Sequence, residues 1–265
     1  MDERFGRSRT GSSELRELMG GNYFDNPKPT KLLEVLVAIG TKPDSVVLDF
    51  FAGSGSMAHA VLSSNLKDSG NRRCISVQLP EPVDEKSDAK KAGFKLITEV
   101  TRKRITLAGD LISRIATNDV VHSGELDAGF RAYRLAESNF PVWQVSSGVA
   151  EKELEKHINE IAYFSTDGSN AFACLMEVLI KLGFSLSVPI KQLDSEVFEA
   201  YSVGEGDLIA VVTSKKDVGL DDFATLLDLK PSRFLVLEDT YQGSDELKTN
   251  LEQECSNRQI ELIKK

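Results

Sequence analysis

The distribution of apolar and polar residues predicts a chain of alternating strands and helices. Val46-Val47-Leu48 is a β-prone apolar run that ends at Asp49 and leads into a loop with two glycines, Gly53 and Gly55. Apolar residues follow this loop at helical spacing: Met57, Ala58, Val61, Leu62 and Leu66. The stretch therefore predicts a strand, a tight loop and a helix.

The residues around this stretch extend the α/β pattern. Further helices are predicted at 13–19, from Pro29 or Thr30 to Gly40, and along an apolar stripe between 94 and 112. Strands are predicted at 74–79 and 128–135. The basic run Arg102-Lys103-Arg104 lies within the predicted helix of residues 94–112. We interpret it as a solvated face, with a phosphate contact as the less favoured alternative.

From about residue 150 the pattern changes to a second and smaller α/β unit. An apolar helical face runs from Phe172 to Gly183, and further helices are predicted at 220–227 and 245–254. Strands are predicted at 186–190, 198–203, 208–212, 234–237 and 260–263. We therefore divide the chain into a flexible lead-in (1–22), a first domain (23–145) and a C-terminal domain (150–265).

Composition excludes several classes of protein. The 265 residues include 41% hydrophobic and 28% charged residues, which is ordinary for a soluble protein. No apolar run is long enough to span a membrane, and the start of the sequence does not have the pattern of a secretory signal. The three cysteines and three histidines are widely scattered, so we expect a cytoplasmic protein without a metal site. The net charge of −9 argues against electrostatic binding of nucleic acid by the protein surface as a whole.

The loop after the first strand is the candidate for chemistry. Glycines allow sharp turns and close approach of a ligand to the backbone, and helix N-termini present free amides. A dinucleotide site requires a third glycine where this chain has Ala58, and a phosphate-binding loop requires a lysine that is absent. The order Asp49-Phe50-Phe51-Ala52-Gly53-Ser54-Gly55 instead resembles the loop of S-adenosylmethionine-dependent DNA amino-methyltransferases.

A second motif narrows the resemblance. Phe24-Asp25-Asn26-Pro27-Lys28-Pro29-Thr30-Lys31 stands about twenty residues before the loop, and Gln78-Leu79-Pro80-Glu81 ends the second strand. In this order the motifs resemble the adenine methyltransferase (Mod) subunits of Type III restriction–modification systems. The resemblance extends over nearly all of this chain but only over the C-terminal part of the family's proteins. It implies a Rossmann-like methyltransferase sheet that is incomplete in this chain, beside a second, smaller α/β domain.

The resemblance also assigns residues to an S-adenosylmethionine site. It implies a loop of Phe50, Ala52, Gly53, Ser54 and Gly55, with Asp49 organising the loop amides. Phe24, Asn26 and Lys28 are expected to form a lid, and Asn26, Lys28, Thr30 and Lys31 are candidates for the cofactor carboxylate and the pocket walls. Many methyltransferases have an acid at the end of the second strand for the ribose hydroxyls. This chain has Gln78 there and Glu81 three residues later, and the sequence leaves both open.

The catalytic stretch of the family is missing from these residues. Amino-methyltransferases hold the target base with an Asp/Asn-Pro-Pro-Tyr/Phe motif, and this sequence contains no Pro-Pro. We expect no catalytic residue in this chain and no activity of the chain alone, whether it is a fragment, the product of a split gene or a remnant. Methyl transfer to adenine-N6 in double-stranded DNA would require the N-terminal Mod half or a second Mod subunit. The restriction (Res) subunit is a further expected partner. The alternative is a non-catalytic remnant that serves as an oligomerisation or restriction-subunit docking module.

Overall fold

The computed structural model of this protein describes residues 8–118, 126–140 and 170–264. The chain forms two compact units, Met1–Tyr133 and Arg134–Lys265. The predicted boundary between domains, at 145–150, lies outside the described residues, so the predicted division stays a prediction.

The first unit consists of a two-stranded parallel sheet and surrounding helices. Its described helices are α1 (Ser8–Met19), α2 (Thr30–Gly40), α3 (Ser56–Asp68), α4 (Asp88–Lys91) and α5 (Ile97–Asn118). Its strands are β1 (Val46–Asp49) and β2 (Arg73–Ser76), which pair in parallel with Leu48 opposite Ile75. Helix α3 connects them, which confirms the predicted sequence of strand, loop and helix.

Pro29 and Gly20 mark the start of α2 and the end of α1. Pro29 is the extended residue before α2, and its fixed φ of −60° directs the chain into the helix at Thr30, as predicted. Helix α1 begins at Ser8, five residues before the predicted start, and Gly20 follows its last turn with a φ of +81°. Leu15 of α1 is fully buried, so this part of the predicted lead-in packs into the unit.

One face of the two-stranded sheet is exposed although it is apolar. Strand residues alternate between faces, and Val46, Leu48 and Ile75 share the face that Phe50 and Val77 continue. These five side chains are between 44% and 63% exposed. Val47 and Cys74 on the opposite face are half-buried. Parallel sheets are normally covered on both faces, so this apolar surface is unusual. We call it the open sheet face.

One strand predicted for the first domain is wrong and another is shorter than expected. The described residues between 126 and 138 form no strand, because none of the strands in the described part of the chain pairs with the predicted strand at 128–135. Leu135 within it is 99% exposed, so this apolar residue is not part of a core. Strand β2 ends at Ser76, three residues before the predicted end.

The second unit is built on a five-stranded mixed sheet. Its described helices are α6 (Ala171–Lys181), α7 (Ala224–Leu227) and α8 (Asp245–Asn257). The strand order is β3 (Ile190–Leu193), β4 (Phe198–Val203), β5 (Leu208–Ser214), β6 (Arg233–Val236) and β7 (Glu261–Lys264). The first three strands are antiparallel and the last three are parallel.

Helices cover both faces of this sheet. Leu175 and Leu179 of α6 pack on one face in a cluster that includes Leu235, whereas Leu251 of α8 packs on the other face beside Phe234. The predicted α/β character of this half is confirmed. The strand predicted at 186–190 is wrong for its first four residues, which form a turn before β3 begins at Ile190.

Two classes of feature are absent from the residues that the structure describes. None of their helices has the length and apolarity to cross a membrane. They also bring together no group of three or more histidine, cysteine or acidic side chains suited to a metal ion.

Candidate functional site

The loop between β1 and α3 has the tight geometry that its glycines predict. Gly53 and Gly55 have φ angles of +52° and +79°, which side chains disfavour. The carboxylate of Asp49 accepts a hydrogen bond from the Phe51 amide at 3.1 Å. The Gly55 amide donates to the carbonyl of Ala52 at 2.7 Å and closes the turn. Asp49 therefore holds one loop amide.

The end of the second strand holds the loop. The Ala52 amide donates to the Val77 carbonyl at 3.0 Å, and the Gly53 amide donates to Oε1 of Gln78 at 2.8 Å. The Nε2 group of Gln78 donates to Glu81 at 3.4 Å. Gln78 therefore uses its oxygen within the protein, and Glu81, which accepts the bond from its amide group, is exposed.

The predicted lid meets the loop through one aromatic ring. A Cβ atom on Gly53 would lie 2.9 Å from Cζ of Phe24, so the ring occupies the space that the glycine leaves. The Gly53 carbonyl accepts a hydrogen bond of 2.5 Å from the Thr101 hydroxyl of α5. A Cβ on Gly55 would lie 3.1 Å from Ile105 of the same helix. Both glycines thus permit close packing within the protein.

Arg104 is the functional candidate that the sequence pattern did not single out. We expected its basic run to be a solvated face, but Arg104 is 0% exposed. Its Nη1 donates to the Ser54 hydroxyl at 2.8 Å and to the Ser56 hydroxyl at 2.7 Å. Its Nη2 donates to the Thr30 hydroxyl at 3.2 Å. Burial lowers the pKa of Arg104 to about 10, so the side chain stays a cation at neutral pH.

The polar lid residues are placed differently from Phe24. Asn26, Lys28 and Lys31 are exposed, and Asn26 has a φ of +52°. Asn26 lines a pocket of about 270 Å³ together with Arg9, Ser12, Ser13 and Arg16 of α1. Thr30 is buried, with its amide bound to Glu14 at 2.8 Å and its hydroxyl bound to Arg104. The roles assigned to these residues in cofactor binding stay predictions.

His59 of α3 lies in the same interior region. Burial, aided by the charge of Arg104, lowers the pKa of His59 to about 4, so the ring is neutral at pH 7. Its Nδ1 atom is buried, and no hydrogen-bond partner for it is present among the described residues. The histidine is therefore a packed neutral group, and protonation in the folded state is costly.

His59 makes the stability of the protein sensitive to mild acid. Its folded pKa of about 4 lies below the ordinary value of 6.5, so below pH 6.5 the unfolded chain binds a proton that the folded chain excludes. The free energy of unfolding should therefore fall as the pH drops from 6.5 towards 4, by about 2 kcal/mol at pH 5. Urea denaturation at pH 7.5 and pH 5 measures this loss, and His59→Met should remove most of it. An equal loss in both proteins would contradict the assignment.

Comparison with known proteins finds a DNA methylase family and several Mod subunits that are similar to this chain. Residues 3–82 match the DNA methylase family N6_N4_Mtase. The chain is 42% identical over 129 residues to the Type III restriction-modification enzyme StyLTI Mod subunit of Salmonella typhimurium. The matched stretch is 49% of this chain and 19% of that protein. It is 49% identical over 96 residues to the EcoPI Mod subunit of Escherichia phage P1, covering 36% of this chain and 15% of that protein. The EcoP15I Mod subunit of Escherichia coli is 36% identical over 129 residues, which is 48% of this chain and 18% of that protein. The matches therefore span less than a fifth of each relative's length.

Proposed function

This chain is related to the adenine-specific Mod methyltransferases of Type III restriction–modification systems, and from that premise we propose that its first unit is the S-adenosylmethionine-binding part of such an enzyme. The complete enzyme would transfer the methyl group to adenine-N6 in double-stranded DNA. Its partners would be a restriction (Res) subunit and the remaining part of the methyltransferase, and it would act in the cytoplasm.

The convergence of three separate motifs carries this proposal. The lid, the glycine loop and the end of β2 are far apart in sequence, yet Gly53 lies against the Phe24 ring and donates its amide hydrogen to Gln78. Parallel α/β proteins bind ligands at the carboxyl ends of their strands, which is where these three residues meet. A turn that served only to connect β1 with α3 would not require contacts from both other segments.

The residues of the loop suit this cofactor. Among the residues that the structure describes, none caps the first turn of α3 with its side chain, so the amides of this turn are available to polar acceptors on a ligand. Thr101 binds the carbonyl of Gly53 and Gln78 binds its amide, so the loop is held in shape before a ligand binds. When bound, S-adenosylmethionine supplies an electrophilic methyl group, and this chain would supply the cradle of Phe24, Phe50, Ala52, Gly53 and Gly55.

Glu81 is the better ribose contact of the two that the sequence left open. The Oε1 atom of Gln78 already accepts the Gly53 amide, and its Nε2 group points to Glu81. A carboxylate can accept two hydrogen bonds from neighbouring hydroxyls. We therefore assign the ribose to Glu81 and the anchoring of the loop to Gln78.

The chain would need the rest of the methyltransferase for catalysis. It has no Asp-Pro-Pro-Tyr-like stretch, and the relatives are more than five times longer than the parts they share with it. The open sheet face supports this view, because further strands and a helix layer from the remaining polypeptide would cover its apolar residues. On this proposal the chain alone does not methylate DNA.

Calorimetric titration of the whole chain with S-adenosylmethionine tests the proposal. We expect saturable binding at one site, because the loop is already held in shape before any ligand arrives. A parallel assay of adenine methylation should detect no activity from the chain alone. A folded chain that does not bind the cofactor, with or without an N-terminal Mod fragment, would contradict the proposal and favour a non-catalytic docking module.

A further inference from the structure

Arg104 joins the two segments that we assign to the cofactor. On one side its guanidinium binds the hydroxyls of Ser54 in the loop and Ser56 at the start of α3. On the other side it binds the hydroxyl of Thr30, the first residue of the helix that follows the lid. These groups are 48 to 74 residues from Arg104 in sequence, so one side chain links distant parts of the chain.

Burying Arg104 in these surroundings costs free energy that packing alone would not require. Its direct partners are three neutral hydroxyl groups, and its Nε atom is buried without a partner among the described residues. A buried cation loses hydration, and an apolar side chain of similar volume is often at least as stabilising. The planar guanidinium does offer several donors in a fixed geometry, which suits it to holding separate groups in register.

Glu14 of α1 completes this arrangement. Its carboxylate accepts the Thr30 amide at 2.8 Å, at the start of a helix whose preceding residue, Pro29, provides no cap. The negative charge of Glu14 also favours the cationic form of Arg104. The carboxylate therefore offsets two positive features that meet here, the helix N-terminus and the guanidinium.

We propose that Arg104 is a positioning residue that ties the Phe50–Gly55 loop to the Thr30 end of α2 and so preforms both sides of the cofactor cradle. Ser54 and Ser56 turn their hydroxyls inward to Arg104, and the loop consequently offers its backbone to a ligand. This inference rests on the proposed function for the identity of the ligand. We call the contacts of Arg104 with Ser54, Ser56 and Thr30 the bridge. The bridge is present in the protein without ligand.

Amide hydrogen exchange of the whole chain, without cofactor, tests the bridge directly. In Arg104→Met the amides of Ala52, Gly53 and Gly55 and that of Thr30 should exchange at least about tenfold faster, as expected when a hydrogen bond to a charged group is lost. Arg114→Met is the matched control, because Arg114 is an exposed arginine on the same helix. It should exchange like the wild type at these four amides.

A second variant separates positioning from general loss of stability. Ser54→Ala/Ser56→Ala keeps the buried cation and its contact with Thr30, so only the loop amides should exchange faster. This variant also decides the matter if Arg104→Met does not fold. Unchanged exchange in the loop of either folded variant would overturn the proposal, and so would equal acceleration at all amides of the first unit.

Titration with S-adenosylmethionine then connects the bridge to binding. We expect the affinity to fall about tenfold in Arg104→Met and to stay unchanged in Arg114→Met. If the variants show the expected exchange pattern but the wild-type chain does not bind the cofactor, the proposed function fails and the role of Arg104 in holding the loop stands. If the wild type binds and Arg104→Met binds equally well, the positioning role fails.

Discussion

Gly53→Val should abolish binding of S-adenosylmethionine while the second unit stays folded. Gly53 has a φ of +52°, and a Cβ atom there would lie 2.9 Å from Cζ of Phe24. A β-branched residue in this conformation costs about 1–3 kcal/mol in backbone strain alone. The clash also forces the loop and the Phe24 ring apart. Because both belong to the proposed cradle, we expect no saturable heat in calorimetric titration.

Gly93→Ala provides the control for backbone strain. Gly93 has a φ of +93°, and a Cβ there would meet no atom within 4 Å. This variant therefore carries the conformational penalty of a side chain without the clash, and its affinity for the cofactor should equal that of the wild type. A Gly53→Val protein that binds as tightly as Gly93→Ala would show that the loop does not form the cradle.

Leu48→Lys/Ile75→Lys should abolish assembly with the remaining part of the methyltransferase. Both residues lie on the open sheet face at opposite positions of the parallel pair, and about half of each side chain is exposed. Lysine is therefore tolerated in the chain alone. Covering the face with another polypeptide would bury two unpaired charges, which costs at least about tenfold in affinity for each. Co-elution with an N-terminal Mod fragment, followed by an adenine methylation assay, measures the effect.

Leu229→Lys is the matched control for this experiment. Leu229 belongs to the second unit and is 56% exposed, so the same substitution adds charge at an exposed position that is not part of the two-stranded sheet. We expect wild-type assembly and wild-type methylation from it. Assembly of the Leu48→Lys/Ile75→Lys protein at wild-type strength would mean that the open sheet face is not where the remaining polypeptide docks.

The sequence predicted the loop well because its signals are local. Gly53 and Gly55 take left-handed conformations, and Pro29 fixes the start of α2, so the backbone preference of each residue determines the nearby structure. Strand β4 was predicted with its observed bounds because its four apolar residues belong to the two buried clusters on either side of the sheet. Such features depend on a few neighbouring residues, which a sequence displays directly.

The features that the sequence did not predict depend on distant partners. Arg104 stands in a basic run beside exposed Arg102 and Lys103, and only the folded contacts with Ser54, Ser56 and Thr30 explain its burial. The apolar residues at 128–135 suggested a strand, but no strand among the described residues pairs with them. Likewise, Gln78 accepts the amide of Gly53, which lies 25 residues earlier in the sequence. This contact is the reason why we propose Glu81 rather than Gln78 as the ribose contact.

Helix α1 sets a practical limit on how this protein can be shortened. Gly11 lies so close to the lid that a Cβ atom there would be 2.0 Å from the Pro27 carbonyl, and Glu14 holds the amide of Thr30. A minimal fragment designed to begin at Tyr23 would keep every sequence motif of the proposed site. It would nevertheless remove the surface on which the lid rests and the carboxylate that compensates Arg104. The smallest unit that retains the site therefore begins at α1, ahead of the first recognisable motif.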